Sequence, residues 1–123
     1  MSAIVVKKIV TYDILLSAMI SYCRLNSKFS LEDVAGILSL EDSVLASVEM
    51  GENKIDVSSL NALTSLFKIS MVDFFKEVRT TIIALKELDI DIEYTHVNYV
   101  VDPNWQFEQL DVTDILELLD EVK

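Results

Sequence analysis

A chain of 123 residues with a formal net charge of −11 and 51% hydrophobic residues has the size of one domain and enough apolar content to bury a core. Two glycines, one proline and one cysteine exclude an intramolecular disulfide, the multi-cysteine zinc sites and a glycine-rich phosphate loop. The same composition argues for helices joined by short turns, in a reducing compartment.

Residues 1–12 are apolar with Lys7 and Lys8, and read as an arm, a strand or the start of the first helix. The lysines follow the apolar Ala3–Val6 run, and Asp13 interrupts the next one. That order is wrong for a secretory leader, and no apolar run reaches the ~20 residues of a membrane span, so a cytoplasmic protein is expected. Ile14, Leu15, Ala18, Met19, Tyr22 and Leu25 recur at helical spacing, which predicts a helix over 13–26. Cys23 lies within it and reads as a buried thiol.

Ser30 is an N-cap candidate with Asp33 three residues on, opening a helix whose apolar stripe is Leu31, Val34, Ala35 and Leu38. Ser39-Leu40 makes a turn. Glu41 or Asp42 begins a third helix, where a negative charge suits the dipole. Val44, Leu45 and Val48 are its expected buried side, and Gly51 stops it. Residues 52–57 form a polar loop. Ser58 or Ser59 is expected to cap a fourth helix carrying Leu60, Leu63, Leu66 and Phe67. Ser70 with Asp73 caps a fifth, running through Val72, Phe74, Phe75 and Val78 to about Leu88.

The composition then turns acidic, with only Lys86 and Lys123 as bases after residue 79. Ile90-Asp91-Ile92-Glu93-Tyr94 alternates in strand fashion, residues 96–101 are rich in strand formers, and Asp102-Pro103-Asn104 is a turn. Asp111 caps a last helix with Val112, Ile115, Leu116, Leu118, Leu119 and Val122 on a wide apolar face. That face needs cover, from within the chain or from a dimer partner.

The run Ser30-Leu31-Glu32-Asp33-Val34-Ala35, then Ile37-Leu38-Ser39-Leu40, then Val44-Leu45-Ala46-Ser47-Val48-Glu49-Met50-Gly51 resembles the helix-turn-helix of the Cro/CI-type (XRE-like) family. Leu60, Leu63, Phe67, Ile69, Ser70 and Phe74 extend the resemblance to about residues 12–78. It implies a mainly α fold: a five-helix, lambda-repressor-like domain over 13–78, with residues 79–123 as an acidic extension holding a short strand and a terminal helix. It also implies a transcriptional regulator that binds double-stranded operator DNA as a homodimer, with no cofactor and no metal. The candidate DNA-contacting residues are Ser30, Glu41, Asp42, Ser43 and Ser47 near the starts of the second and third helices, with Arg24, Lys28 and Lys54 as a small basic set for phosphate. Val112, Ile115, Leu116, Leu119 and Val122 are the candidate dimerisation residues.

Charge runs against that implication. Residues 30–51 hold five acids and no base, whereas phosphate neutralisation by Lys and Arg supplies most non-specific DNA affinity. The alternative is an acidic protein-binding module on the same scaffold, such as an antitoxin, an antirepressor or a DNA mimic, which meets a basic protein partner. The single histidine, His96, reads as structural, since no ligand partners are spaced around it. Trp105, Phe107, Tyr94 and Tyr99 read as packing residues. No nucleophile elbow or Cys/His pairing is visible, so the chain is not expected to be an enzyme.

Overall fold

The computed structural model describes residues 5–94 and 105–122, and orders them as β1 (Val5–Thr11), α1 (Tyr12–Ser27), α2 (Leu31–Ile37), α3 (Asp42–Glu49), α4 (Val57–Leu66), α5 (Met71–Glu87), β2 (Ile90–Glu93), β3 (Trp105–Gln109) and α6 (Val112–Val122). The strands form one parallel sheet in the order β2-β1-β3. Lys8 lies opposite Ile90, and Ile9 opposite Gln109. Of the three forms open to residues 1–12, the strand is the one that residues 5–11 adopt. The five helices α1–α5 are therefore the connection between two neighbouring parallel strands.

Local chemistry sets the helix ends. Thr11 Oγ1 accepts from the N–H of Ile14, and Ser30 and Ser70 accept from the N–H groups of Asp33 and Asp73. Each bond satisfies one of the amide donors that a helix start leaves without an internal partner. Asp111 and Asp114 close a reciprocal cap on α6: Asp111 Oδ1 accepts from the Asp114 amide at 2.9 Å, and Asp114 Oδ2 from the Asp111 amide at 3.0 Å. The cap of α4 differs from expectation. Asp56, not Ser58 or Ser59, takes the role, accepting from Ser59 N at 2.7 Å. A carboxylate one residue before the first helical position outcompetes hydroxyls already inside the first turn.

The core is continuous from the helices into the extension. Leu15, Val34, Leu45, Leu63, Phe74 and Val78 share it with Val10 and Ile90 of the sheet and with Val112, Ile115 and Leu119 of α6. Thr81 enters it satisfied, its hydroxyl lying 2.9 Å from the Glu77 carbonyl and 3.6 Å from the Met19 sulfur. The boundary expected after residue 78 falls inside α5. The expectation that Val44 is buried is corrected, since it is 39% exposed. At about 100° per residue, inward-pointing Leu45 turns Val44 to the flank. Val72, Phe75 and Ile83 of α5 are likewise exposed, because Phe74, Val78, Ile82 and Leu85 take the inner face.

β3 was not expected, although Trp105 and Phe107 give its alternating pattern, and nothing in the sequence announced parallel pairing. Residues 96–101, the turn at 102–104, His96 and Tyr99 lie outside the described residues. No described helix is long and apolar enough to cross a membrane.

Candidate nucleic-acid interface

The α2–turn–α3 unit is built by three local devices. Leu38 caps α2, Ser39 takes a left-handed φ of 56°, and Leu40 N donates to Ala35 O at 2.9 Å. This reverses the chain in three residues and sends α3 off at a new angle. Val34 and Ala35 of α2 and Leu45 and Val48 of α3 are buried, and the small Ala35 lets the two helices approach. At the far end, Gly51 has φ 80°, its N–H bonds Val48 O at 3.1 Å, and Glu52 N bonds Ser47 O at 2.9 Å. A Cβ on Gly51 would collide with Ile14 Cδ1 and touch Val112 Cγ2 at 3.4 Å. The end of α3 is thus seated against both α1 and α6.

The outward side of this unit carries Glu32, Asp33, Ile37, Glu41, Asp42, Ser43, Val44 and Met50, all exposed, while Ala46 and Ser47 are half-buried. Glu41 occupies the N-cap of α3 without a side-chain capping bond, which leaves its carboxylate directed to solvent. Ser43 is exposed on the first turn of α3, and Ser30 is exposed with its hydroxyl engaged as the α2 cap.

Arg24 is placed elsewhere. Its Nε and Nη2 bond the two carboxylate oxygens of Glu49 at 2.6 and 2.9 Å, and Nη1 donates to Phe29 O at 3.2 Å. The side chains are only 14% and 6% exposed. This bidentate clamp ties α1 to the end of α3 and to the α1–α2 loop, and it spends the guanidinium inside the protein. Nothing in the sequence pairs these two residues, because 25 positions separate them in the chain. Lys28 is exposed at the left-handed C-cap of α1. Lys54, 82% exposed, lies 3.4 Å from Asp13, a contact worth about 0–1 kcal/mol in solvent. Both ammonium groups remain available to a ligand.

The candidate dimerisation residues sit apart from this surface. Val112, Ile115 and Leu119 are at most 1% exposed and pack within the chain, chiefly toward α1. Leu116 is half-buried, and the Val122 side chain lies outside the described ones. The cover that α6 needs is therefore intramolecular at those three positions. Tyr12 and Tyr94 stack at 5.5 Å beside Lys54 and Glu93. Burial, and then the neighbouring Tyr94, raise the Tyr12 hydroxyl above its ordinary value. Among the described residues no group of carboxylates, histidines and cysteines is arranged to hold a metal.

These features define a mainly α helix-turn-helix fold, with an acidic C-terminal segment that completes a small sheet. Solved structures with a like fold include a restriction-modification controller protein and a gene regulator. One tyrosine mutant of the restriction-modification controller protein C.Esp1396I superimposes with a TM-score of 0.54 at 22% identity, covering 58% of this chain and 92% of that one. Another gives 0.52 at 23%, covering 57% and 89%. The clp gene regulator ClgR from C. glutamicum gives 0.50 at 18%, covering 55% and 87%. What these structures share with the chain is the helix-turn-helix fold that the sequence resemblance implied. No protein-family description and no curated protein matches the chain.

Proposed function

We propose that this protein is a transcriptional regulator that binds operator DNA as a dimer, presenting residues 30–51 to the major groove. The observation that carries the reading is the α2–turn–α3 unit: a capped α2, a three-residue reversal and an α3 whose first turn faces solvent. The structural likeness to a restriction-modification controller protein and to a clp gene regulator supports it. In this geometry α3 enters the groove with Asp42, Ser43 and Ser47 toward base edges, and a carboxylate there accepts from a cytosine amino group. Lys28 and Lys54 contact phosphate. Arg24 positions α3 through Glu49 and touches no phosphate. The protein acts by binding, without catalysis, in the cytoplasm.

Fluorescence anisotropy with duplex DNA from the region upstream of its own gene tests this, at salt from about 50 to 200 mM. Saturable, sequence-dependent binding that weakens with salt supports the reading; absence of binding at the lowest salt removes it.

One observation favours a second reading. Glu32, Asp33, Glu41 and Asp42 are all exposed on a unit without a single Lys or Arg. Such a surface fits a basic protein better than a polyanion, as an antitoxin, antirepressor or DNA mimic would require. Replacing Glu41→Gln and Asp42→Arg separates the two. DNA affinity that appears only in this variant assigns the natural chain to protein binding.

A further inference from the structure

The outer face of α5 is the one helix surface among the described residues that gathers three cations. Val72, Lys76, Arg79, Ile83 and Lys86 follow one another at helical steps of four and three residues, so they form a single stripe, and all are exposed. Phe75 lies beside it, 37% exposed and edge-on to Phe74. Val72 and Ile83 are 65% and 53% exposed. Asp73, Glu77 and Glu87 lie to one side of the stripe, and none of the three cations forms an ion pair among the described residues. Alternation of apolar and basic residues along one stripe complements the acidic face of an amphipathic helix.

The chain contains such a helix. α6 has no Lys or Arg over Val112–Val122, and Glu117, Asp120 and Glu121 are exposed beside half-buried Leu116. Leu88, just past the end of α5, lines one cleft with Glu117, Leu118 and Glu121 of α6, so the basic and acidic elements adjoin on the surface. Two copies that each carry −11 repel one another, and a place where opposite charges meet offsets that repulsion and fixes the register of contact. An α5–α5′ contact would oppose like charges, whereas an α5–α6′ contact matches them. A two-fold axis makes that contact twice.

We infer that the α5 stripe docks the acidic outer face of α6 in a second copy of this chain. The inference rests on the dimeric part of the proposed function and not on its DNA binding, and it is tested without DNA. Light scattering and sedimentation measure mass against the 13.9 kDa of one chain. The wild type is expected to be dimeric at micromolar concentration and to dissociate in 0.5 M salt (roughly a 4 Å screening length). Lys76→Glu with Arg79→Glu raises the dimer Kd at least tenfold, as does Glu117→Lys with Asp120→Lys, and mixing the two variants restores the dimer. Should a reversal variant lose its helical circular dichroism, the milder Lys76→Gln with Arg79→Gln is read in its place, with a Kd increase of the same sign. A monomeric wild type, a dimer indifferent to these substitutions, or variants that do not recover on mixing would overturn the inference.

Discussion

Removing Glu49 alone leaves the Arg24 side chain, 14% exposed in the intact protein, opposite a vacated carboxylate, with one bond left to Phe29 O. Breaking a buried pair from one side costs roughly 3–5 kcal/mol, because the remaining charge is uncompensated. Arg24 keeps some access to water, which places Glu49→Ala near the lower end, at about 3 kcal/mol. Unfolding entropy of about 2.1 cal/mol/K per residue makes each kcal/mol worth about 4 °C in a chain of 123 residues, so Tm should fall by about 12 °C. Replacing both partners, Arg24→Met with Glu49→Leu, removes the charges together and should come within about 1 kcal/mol of wild type, or above it. Urea and thermal denaturation measure both variants. A Glu49→Ala loss below about 1 kcal/mol would mean that the pair behaves as an exposed surface contact, and the account of how α3 is held would fail. The double variant also carries a functional check. If Arg24 contacts no phosphate, the salt dependence of DNA binding is unchanged; a slope shallower by about 0.9 would place Arg24 on the DNA.

Three further outcomes follow from the same geometry. Gly51→Ala should cost about 1–3 kcal/mol in urea denaturation, from a left-handed φ and a Cβ driven into Ile14. Asp56→Ala should lose about 1 kcal/mol, while Ser58→Ala stays within about 0.5 kcal/mol, as expected if the α4 cap is the carboxylate. Tyr12 has a raised folded pKa; its contribution is complete below the ordinary tyrosine value near 10 and is lost as pH rises through the folded value. Thermal melts taken from neutral to strongly alkaline pH should therefore show a decline that is smaller in Tyr12→Phe.

How far the sequence revealed this molecule depended on whether a feature is local. Ser30, Ser70, Asp111 and Gly51 were readable as helix ends because a cap is a short-range bond between neighbours. The inner sides of α2 and α3 followed from periodicity, with Val44 misplaced by its position on the flank. The features that escaped are held by distant partners. β3 and the parallel order β2-β1-β3 join segments separated by most of the chain. The Arg24–Glu49 clamp is a tertiary contact, and it converts a cation that the sequence offered to DNA into a brace for α3. The wide apolar face of α6 was legible, but its cover was not; Val112, Ile115 and Leu119 are enclosed within the chain. The exposure of Glu41 and Asp42 at the start of α3 was readable in both sequence and structure, and it is the feature on which the two functional readings part.

Backbone amide NMR of the labelled protein, titrated at about 50 mM salt with duplex DNA from the upstream region of its gene, shows which residues meet DNA. Saturable shifts concentrated in residues 30–51, with Lys28 and Lys54 at their margins, are expected if the α2–turn–α3 unit is the DNA reader, and it is this assignment that the titration decides. No shifts, or shifts confined to the outer face of α5, would contradict it.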